Sequence, residues 1–120
     1  MTKHREEPQV VAAVRDYFEG WYDADVARMD RALHDDLVKR WPGRDGDGTL
    51  VLTTKQRMLE LTEQGEGRSD GVDRTLDIDV VDVYEDIASV KVESAVYQEY
   101  VQLVRTPAGW KIANTLWQLR

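Results

Sequence analysis

The feature that most constrains the fold is a change in hydrophobic period along the chain. Between Val10 and Leu33 the apolar residues recur at spacings of three and four, which is the period of amphipathic helices. From Arg74 onward they alternate with polar residues, which is the period of a strand with one buried face. Helices that precede a run of antiparallel strands are typical of the α+β class. We therefore expect three N-terminal helices to cover one face of a curved antiparallel meander, in a single domain.

Two helices are predicted at the start of the chain. Pro8 suits the first turn of the first helix, whose apolar stripe runs from Val10 to Tyr22. Asp25 is a suitable N-cap for a short second helix. Residues 1–8 are polar and charged, so we expect a flexible tail there, not a secretory signal, before a domain at 9–120.

The middle of the chain predicts a third helix between two loops. The segment HDDLVKRW, residues 34–41, is interpreted as a loop that enters a first strand, and residues 50–52 as a short extended piece. Thr53 and Gln56 have the spacing of a capping box for the third helix. The glycine-rich residues 65–71 are expected to end that helix in a flexible loop.

The second half of the chain predicts three or four antiparallel strands in series. The alternation slips at Val80 and Val81, which indicates a β-bulge. Tight turns are expected at residues 85–86 and 106–109, between runs of alternating residues.

Charge and composition exclude several classes of partner. Sixteen Lys and Arg against 23 Asp and Glu give a net charge of −7 without a basic stripe, so we expect no nucleic acid partner. No run approaches the roughly 18 apolar residues of a membrane-spanning helix, so we expect no membrane partner. The chain has no cysteine, which excludes disulfides and thiolate sites. These features favour a cytoplasmic protein.

No motif for a metal or a cofactor occurs in the sequence. The segment DGDGT, residues 45–49, has the acidic spacing of a calcium loop, but Leu50 stands where that loop needs glycine and Gln56 where it needs glutamate. A single histidine outside the tail, His34, gives no ligand set for zinc or iron. Phosphate-binding loops and Gly-x-Ser-x-Gly segments are also missing. The sequence therefore predicts neither a metal nor a cofactor.

Seven segments resemble, in the same order, those of nuclear transport factor 2-like proteins. They read DYFEGWYDAD, ALHDDL, LTTKQRM, LDIDVVDVYED, ASVKVES, YQEYVQLVR and GWKIANTLW. The resemblance covers about residues 9–119 and is greatest to the bacterial branch labelled "putative lumazine-binding". One difference is visible, because Asp35 follows His34 where relatives of this type usually have proline. The loop at this point is therefore expected to be less rigid.

The resemblance implies a cone-shaped fold, in which the curved sheet and three helices surround a pocket that opens at the wide end. It also implies a homodimer formed through the outer face of the sheet. Four residues are the expected apolar members of that face: Val81, Val83, Tyr100 and Val104. Some members of the superfamily are enzymes, such as ketosteroid isomerase and scytalone dehydratase, and many have no assigned activity.

Two residues are candidates for catalysis. In ketosteroid isomerase a tyrosine of the first helix donates a hydrogen bond to the substrate, so the resemblance makes Tyr17 a candidate donor. Tyr17 also lies at the border of the apolar stripe, where a hydroxyl can reach a cavity. His34 is suited to general acid or base chemistry near neutral pH, or to fixing a turn by bonding Asp35 or Asp36.

A pocket for a small hydrophobic or planar molecule needs large apolar side chains and a few polar groups. Its predicted lining consists of Tyr17, Trp21, His34, Trp41, Met58, Leu61, Tyr97, Asn114 and Trp117. Strand alternation must also turn some polar residues inward, from a set that includes Glu93 and Glu99. A carboxylate buried in this way would favour a function, because its burial is costly.

Three functions remain open at this point. The first is a small-molecule-binding protein. The second is an isomerase, dehydratase or cyclase in which Tyr17 and either His34 or an inward carboxylate transfer protons. The third is a dimerisation or docking module whose cone is filled by side chains.

Overall fold

The structure, a computed structural model, describes residues 5–68 and 73–120. These residues form three helices and one six-stranded curved sheet that does not close into a barrel. The predicted α+β class and single domain are confirmed. In chain order the elements are α1 (Glu7–Asp23), α2 (Val26–Ala32), β1 (Leu33–Trp41), β2 (Val51–Thr54), α3 (Lys55–Glu63), β3 (Leu76–Tyr84), β4 (Ile87–Ser94), β5 (Tyr97–Thr106) and β6 (Gly109–Leu119).

Helix α1 docks on the sheet through its apolar stripe. Proline stands in its first turn, as the sequence predicts, and Val10, Val14 and Phe18 are buried along one face. The helix begins two residues before the domain boundary expected at residue 9. Glu6 accepts a hydrogen bond of 3.2 Å from Nε1 of Trp110, which ties the start of α1 to β6. Residues 1–4 of the expected tail lie outside the described residues.

Strand β1 follows α2 directly, so the first strand expected in this segment is present, but the loop expected before it is not. Asp25 caps α2 as predicted, because its carboxylate accepts a hydrogen bond from the backbone of Arg28. Strand β1 pairs in parallel with β6, first at Leu33 and again from Val38, with an irregular register between them. That irregularity explains why the polar run after Leu33 lacks the alternation of a regular strand.

Helix α3 begins one residue later than the sequence indicates. Thr54, and not Thr53, is its N-cap and accepts a hydrogen bond of 3.2 Å from the backbone of Arg57. The extended piece before it is β2, which pairs antiparallel with β1. The loop predicted at 65–71 lies partly outside the described residues.

The sheet has the strand order β2-β1-β6-β5-β4-β3. Strands β1 and β6 pair in parallel, and every other pair of neighbouring strands is antiparallel. The predicted bulge is confirmed, since the register of β3 shifts between Val80 and Asp82. A second shift, between Gln102 and Leu103, changes which residues of β6 face inward. The apolar inner face of the sheet and the stripe of α1 form one buried core, to which the sheet contributes Val90, Val92, Val101, Leu103 and Ile112.

The outer face of the sheet is exposed and partly apolar. Val81 and Tyr100 are exposed there, as the sequence predicts, and Val104 is half-buried. Val83 packs instead against the core, because the bulge in β3 shifts the alternation by one residue. In the described ranges, no helix is long and apolar enough to cross a membrane.

Candidate functional site

A cavity of about 360 Å³ lies between α1, α3 and the inner face of the sheet. Most of its lining is aromatic or aliphatic. The lining residues are Tyr17, Phe18, Trp21, Lys39, Trp41, Arg44, Thr53, Met58, Leu61, Glu66, Tyr97, Glu99, Trp117 and Leu119. Arg44, Glu66 and Leu119 are its exposed members, so they mark the side on which the cavity meets solvent.

Three polar side chains from three elements meet on the cavity wall. The Tyr17 hydroxyl donates a hydrogen bond of 2.6 Å to Oε2 of Glu99 and accepts one from Nζ of Lys39. The Lys39 Nζ also lies 3.6 Å from Oε2 of Glu99. We call Tyr17, Lys39 and Glu99 the buried polar cluster. It places a hydroxyl, an amine and a carboxylate within reach of one another and of the cavity.

Strand alternation explains how two charged residues come to face inward. On β5, Glu99 lies on the same face as Val101 and Leu103, and only 1% of its surface is exposed. On β1, Lys39 lies between Leu37 and Trp41 on the inner face, and 13% of its side chain is exposed. Both side chains are thereby removed from water by the same periodicity that buries their apolar neighbours.

Burial shifts the pKa values of two members of the buried polar cluster. The pKa of the Tyr17 hydroxyl is raised well above its usual value, first by burial and then by the nearby Glu99 carboxylate. The pKa of the Lys39 ammonium is lowered, because burial outweighs the opposing effect of Glu99. Tyr17 therefore keeps its proton and acts as a hydrogen-bond donor. Lys39 loses its proton more readily than a lysine in water does.

Aromatic rings form the rest of the wall. The rings of Trp41 and Trp117 stack at a centroid distance of 4.8 Å and an interplanar angle of 19°, and Tyr97 meets Trp117 edge-on at 5.5 Å. The Lys39 Nζ lies 5.2 Å from the centroid of the Trp117 ring and 4.9 Å from that of Tyr17. A flat ligand would therefore meet ring faces and edges beside one polar cluster.

Trp21 is fixed at the cavity from two sides. Its Nε1 donates a hydrogen bond of 3.2 Å to the Tyr97 hydroxyl. Gly67 lies so close to the indole that an added Cβ would stand 2.2 Å from Trp21 ring atoms. The glycine thus permits the segment after α3, which includes Glu66, to approach the cavity.

The structure brings seven of the nine predicted lining residues together around this cavity: Tyr17, Trp21, Trp41, Met58, Leu61, Tyr97 and Trp117. His34 and Asn114 do not line it. The Nδ1 of His34 accepts a hydrogen bond of 3.0 Å from the backbone of Asp36 at the start of β1. Asn114 donates to the side chain of Gln102 on the outer face, because the register shift in β5 and β6 turns it away from the cavity.

Sequence reasoning missed Lys39 and did not assign Glu99. The sequence does contain a signal for Lys39. In a strand, Lys39 lies two residues from both Leu37 and Trp41 and therefore on the same face as these two apolar residues. Glu99 was one of several polar residues with possible inward positions, and only the pairing of β5 with β4 and β6 determines its face. Within residues 5–68 and 73–120 no group of three His, Cys, Asp or Glu side chains is placed to hold a metal ion.

Comparisons with known proteins agree on the fold. The chain is similar to the crystal structure of an NTF2-like protein of unknown function from Silicibacter pomeroyi DSS-3, with a TM-score of 0.81 and 18% identity over 100% of both chains. It is similar to another such protein from Shewanella baltica OS155, with a TM-score of 0.75 and 15% identity over 100% of this chain and 98% of that one. It is also similar to a ketosteroid isomerase-like protein from Erwinia carotovora atroseptica SCRI1043, with a TM-score of 0.71 and 23% identity over 97% of each chain.

No curated protein matches the chain. At the level of sequence families, residues 5–118 match the family described as "Putative lumazine-binding". The match spans nearly the whole chain, and the similar solved structures are NTF2-like. The chain therefore belongs to the "Putative lumazine-binding" family, and its fold is that of NTF2-like proteins.

Proposed function

We propose that the protein binds a small, flat, largely apolar molecule in the cavity, with the buried polar cluster bonding to its polar group. One observation carries this proposal: the Glu99 carboxylate is 1% exposed and lies on the cavity wall. Burying a carboxylate is costly even when it is paired, and an apolar residue would pack the wall at lower cost. An arrangement that sacrifices stability in this way is typical of a functional site.

The size and lining of the cavity support the same proposal. Its volume of about 360 Å³ falls within the roughly 300–1,000 Å³ of small-molecule sites. It does not favour a cone filled by side chains. The family description makes lumazine, a planar heterocycle with carbonyl groups, the first compound to test.

Intrinsic fluorescence tests the proposal directly, because three of the four tryptophans line the cavity: Trp21, Trp41 and Trp117. A bound planar ligand is expected to change their emission with saturation at one site per chain. Glu99→Gln should weaken this binding, whereas Glu93→Gln, on the outward row of β4, should leave it unchanged. Equal binding by the two variants would contradict a role for Glu99, and no response to lumazine or other flat heterocycles would count against the function.

A second candidate is an enzyme that transfers protons without a cofactor. The observation that favours it is the 2.6 Å hydrogen bond between Tyr17 and Glu99 on a cavity wall, which pairs a proton donor with an acceptor. Glu99 takes the role considered for His34, which does not line the cavity. Similarity to a ketosteroid isomerase-like protein agrees with this chemistry. Exchange of the α-protons of a bound ketone in D₂O, followed by NMR, should occur with the wild type and be lost in Glu99→Gln.

The outer face of the sheet supports a further part of the proposal, a homodimer. Tyr100 and Leu116 are cross-strand neighbours, and each is about half exposed, at 53% and 49%. Beside them Arg40 lies on β1, whereas Asp79 lies on β3 at the far edge of the sheet. In a face-to-face pair the acidic edge of one copy would meet Arg40 of the other, and the apolar centre would be covered.

A further inference from the structure

Lys39 has surroundings that no other described lysine has. Its Nζ lies between the rings of Tyr17 and Trp117 and bonds within the buried polar cluster, on the cavity wall. The other lysines have different partners. Lys55 bonds to Asp30, Asp35 and the Leu33 carbonyl. Lys111 bonds to the Arg31 carbonyl, and Lys91 lies near Glu93 on the same strand. Lys39 is therefore the one lysine of the described ranges that a molecule in the cavity would touch.

The chemistry of this lysine differs from that of a surface ammonium. Burial disfavours the charged form and lowers the pKa of Lys39, although the Glu99 carboxylate opposes this. The neutral amine of a buried lysine is a nucleophile. Such lysines react with carbonyl compounds to form imines. The Tyr17 hydroxyl, which contacts both Lys39 and Glu99, can relay a proton between them.

We propose that Lys39 captures an aldehyde or ketone in the cavity as a covalent imine. This inference rests on the proposed function, since it requires that a small molecule occupies the cavity, and it narrows that molecule to a carbonyl compound. The two groups needed beside the amine are present: a proton donor for the carbonyl oxygen and a carboxylate that faces the product cation. Neither a metal nor a redox cofactor is required.

The proposed step balances in protons and electrons. The Lys39 ammonium first passes a proton to Glu99, through the Tyr17 hydroxyl or across the 3.6 Å between them. The neutral Nζ attacks the carbonyl carbon, and the C–O π pair moves to oxygen, which takes the proton from Glu99. Glu99 then removes one proton from the new ammonium, which leaves a neutral carbinolamine.

Loss of water completes the reaction. The carbinolamine oxygen takes the proton from Glu99, the C–O bond breaks, and the nitrogen lone pair forms the C=N bond. The products are water, a protonated imine on Lys39 and an ionised Glu99 beside it. The ionised Glu99 carboxylate, whose Oε2 lies 3.6 Å from Nζ of Lys39, then stabilises the positive charge of the imine.

Reductive trapping on the full-length wild-type protein tests the inference. The protein is incubated with 2-naphthaldehyde, a flat aldehyde, and sodium cyanoborohydride, and labelled lysines are located by peptide mass spectrometry. We expect Lys39 to be labelled roughly tenfold or more faster than Lys55, Lys91 and Lys111, because the cavity holds the aldehyde against its Nζ. Labelling of Lys39 at the rate of these three internal controls, or slower, would overturn the inference without any variant having to fold.

A variant and a non-reactive ligand separate this inference from the proposed function. Lys39→Arg should remove the fast label and leave the other three lysines unchanged. Calorimetric titration with 2-naphthylmethanol, which has the same shape but forms no imine, reports non-covalent binding. Binding of this alcohol without fast labelling of Lys39 by the aldehyde would overturn the inference and leave the proposed function intact. Absence of both binding and fast labelling would count against both.

Discussion

The Tyr17 hydroxyl donates a 2.6 Å hydrogen bond to Oε2 of Glu99, although the two residues lie 82 positions apart in the sequence. Both residues are almost fully buried, and Lys39 completes their contacts from a third element. Helix α1 and strands β1 and β5 must therefore be positioned against one another before this polar cluster can form. The contact couples the packing of the fold to the wall of the cavity.

Removal of that hydrogen bond should destabilise the fold. Tyr17→Phe leaves the buried Glu99 carboxylate without its donor, and an unsatisfied buried group costs about 1–3 kcal/mol. We expect urea unfolding to show a loss of that size. Tyr84→Phe is the matched control, because Tyr84 is 67% exposed and should have little effect. Equal losses in the two variants would contradict the role given to the Tyr17 hydroxyl.

A methyl group at Gly67 should disturb the cavity through Trp21. An added Cβ would stand 2.2 Å from the indole, so Gly67→Ala must shift either the ring or the segment after α3. Such overpacking costs about 1–3 kcal/mol in the free energy of unfolding. The control is a double-mutant cycle with Trp21→Leu, in which the alanine should cost much less. An unchanged cost in the Trp21→Leu background would show that the two residues do not interact.

Asp16 should make the stability depend on acid pH. Burial raises the pKa of Asp16, but hydrogen bonds from Arg31 and Arg28 outweigh it, so the pKa in the folded state lies below the reference value of 3.8. The folded state then binds this proton less readily than the unfolded state. The stabilisation is present above pH 3.8 and is lost as the pH falls through the folded value.

The measurement for Asp16 compares urea unfolding of the wild type and Asp16→Asn at neutral pH and at several pH values below 3.8. The variant should be less stable at neutral pH, and the difference should shrink as the pH falls. Asp45→Asn, a change in the exposed loop before β2, serves as the surface control. A difference between wild type and Asp16→Asn that stays constant with pH would contradict the ion-pair account.

The outer face of the sheet should respond to charge if the chain forms the proposed dimer. Leu116→Glu places a carboxylate beside Tyr100 in the middle of the apolar surface, so we expect the dimer to dissociate. Size-exclusion chromatography with light scattering measures the change in mass. Ala108→Glu, in the exposed turn between β5 and β6, adds the same charge and should leave the dimer intact. A monomeric wild type would refute the proposal.

Local patterns in the sequence were sufficient to predict much of the fold. The stripe of α1, the Asp25 cap and the bulge after Val80 are each determined by residues within a few positions of one another. The start of strand β1 was misplaced behind a loop, because its partner, β6, lies more than 70 residues away in sequence. The pairing with β6, and not local alternation, makes residues 33–41 a strand.

The site was less predictable for the same physical reason. Tyr17 and the aromatic lining could be proposed from side-chain type and helical spacing. Glu99 and Lys39 could not be assigned, because the face of a strand residue depends on register, and one shift reverses it. The shift in β5 and β6 turned Asn114 outward, while regular alternation brought Glu99 inward.

Native mass spectrometry with a panel of flat, carbonyl-bearing heterocycles that includes lumazine tests the central claim most directly. The wild type should bind at least one compound at one molecule per chain. Leu61→Trp, which fills the cavity from α3, should lose that binding, and Glu99→Gln should weaken it. A failure of every compound to bind, or equal binding by the wild type and Leu61→Trp, would contradict the claim that this cavity is the ligand site.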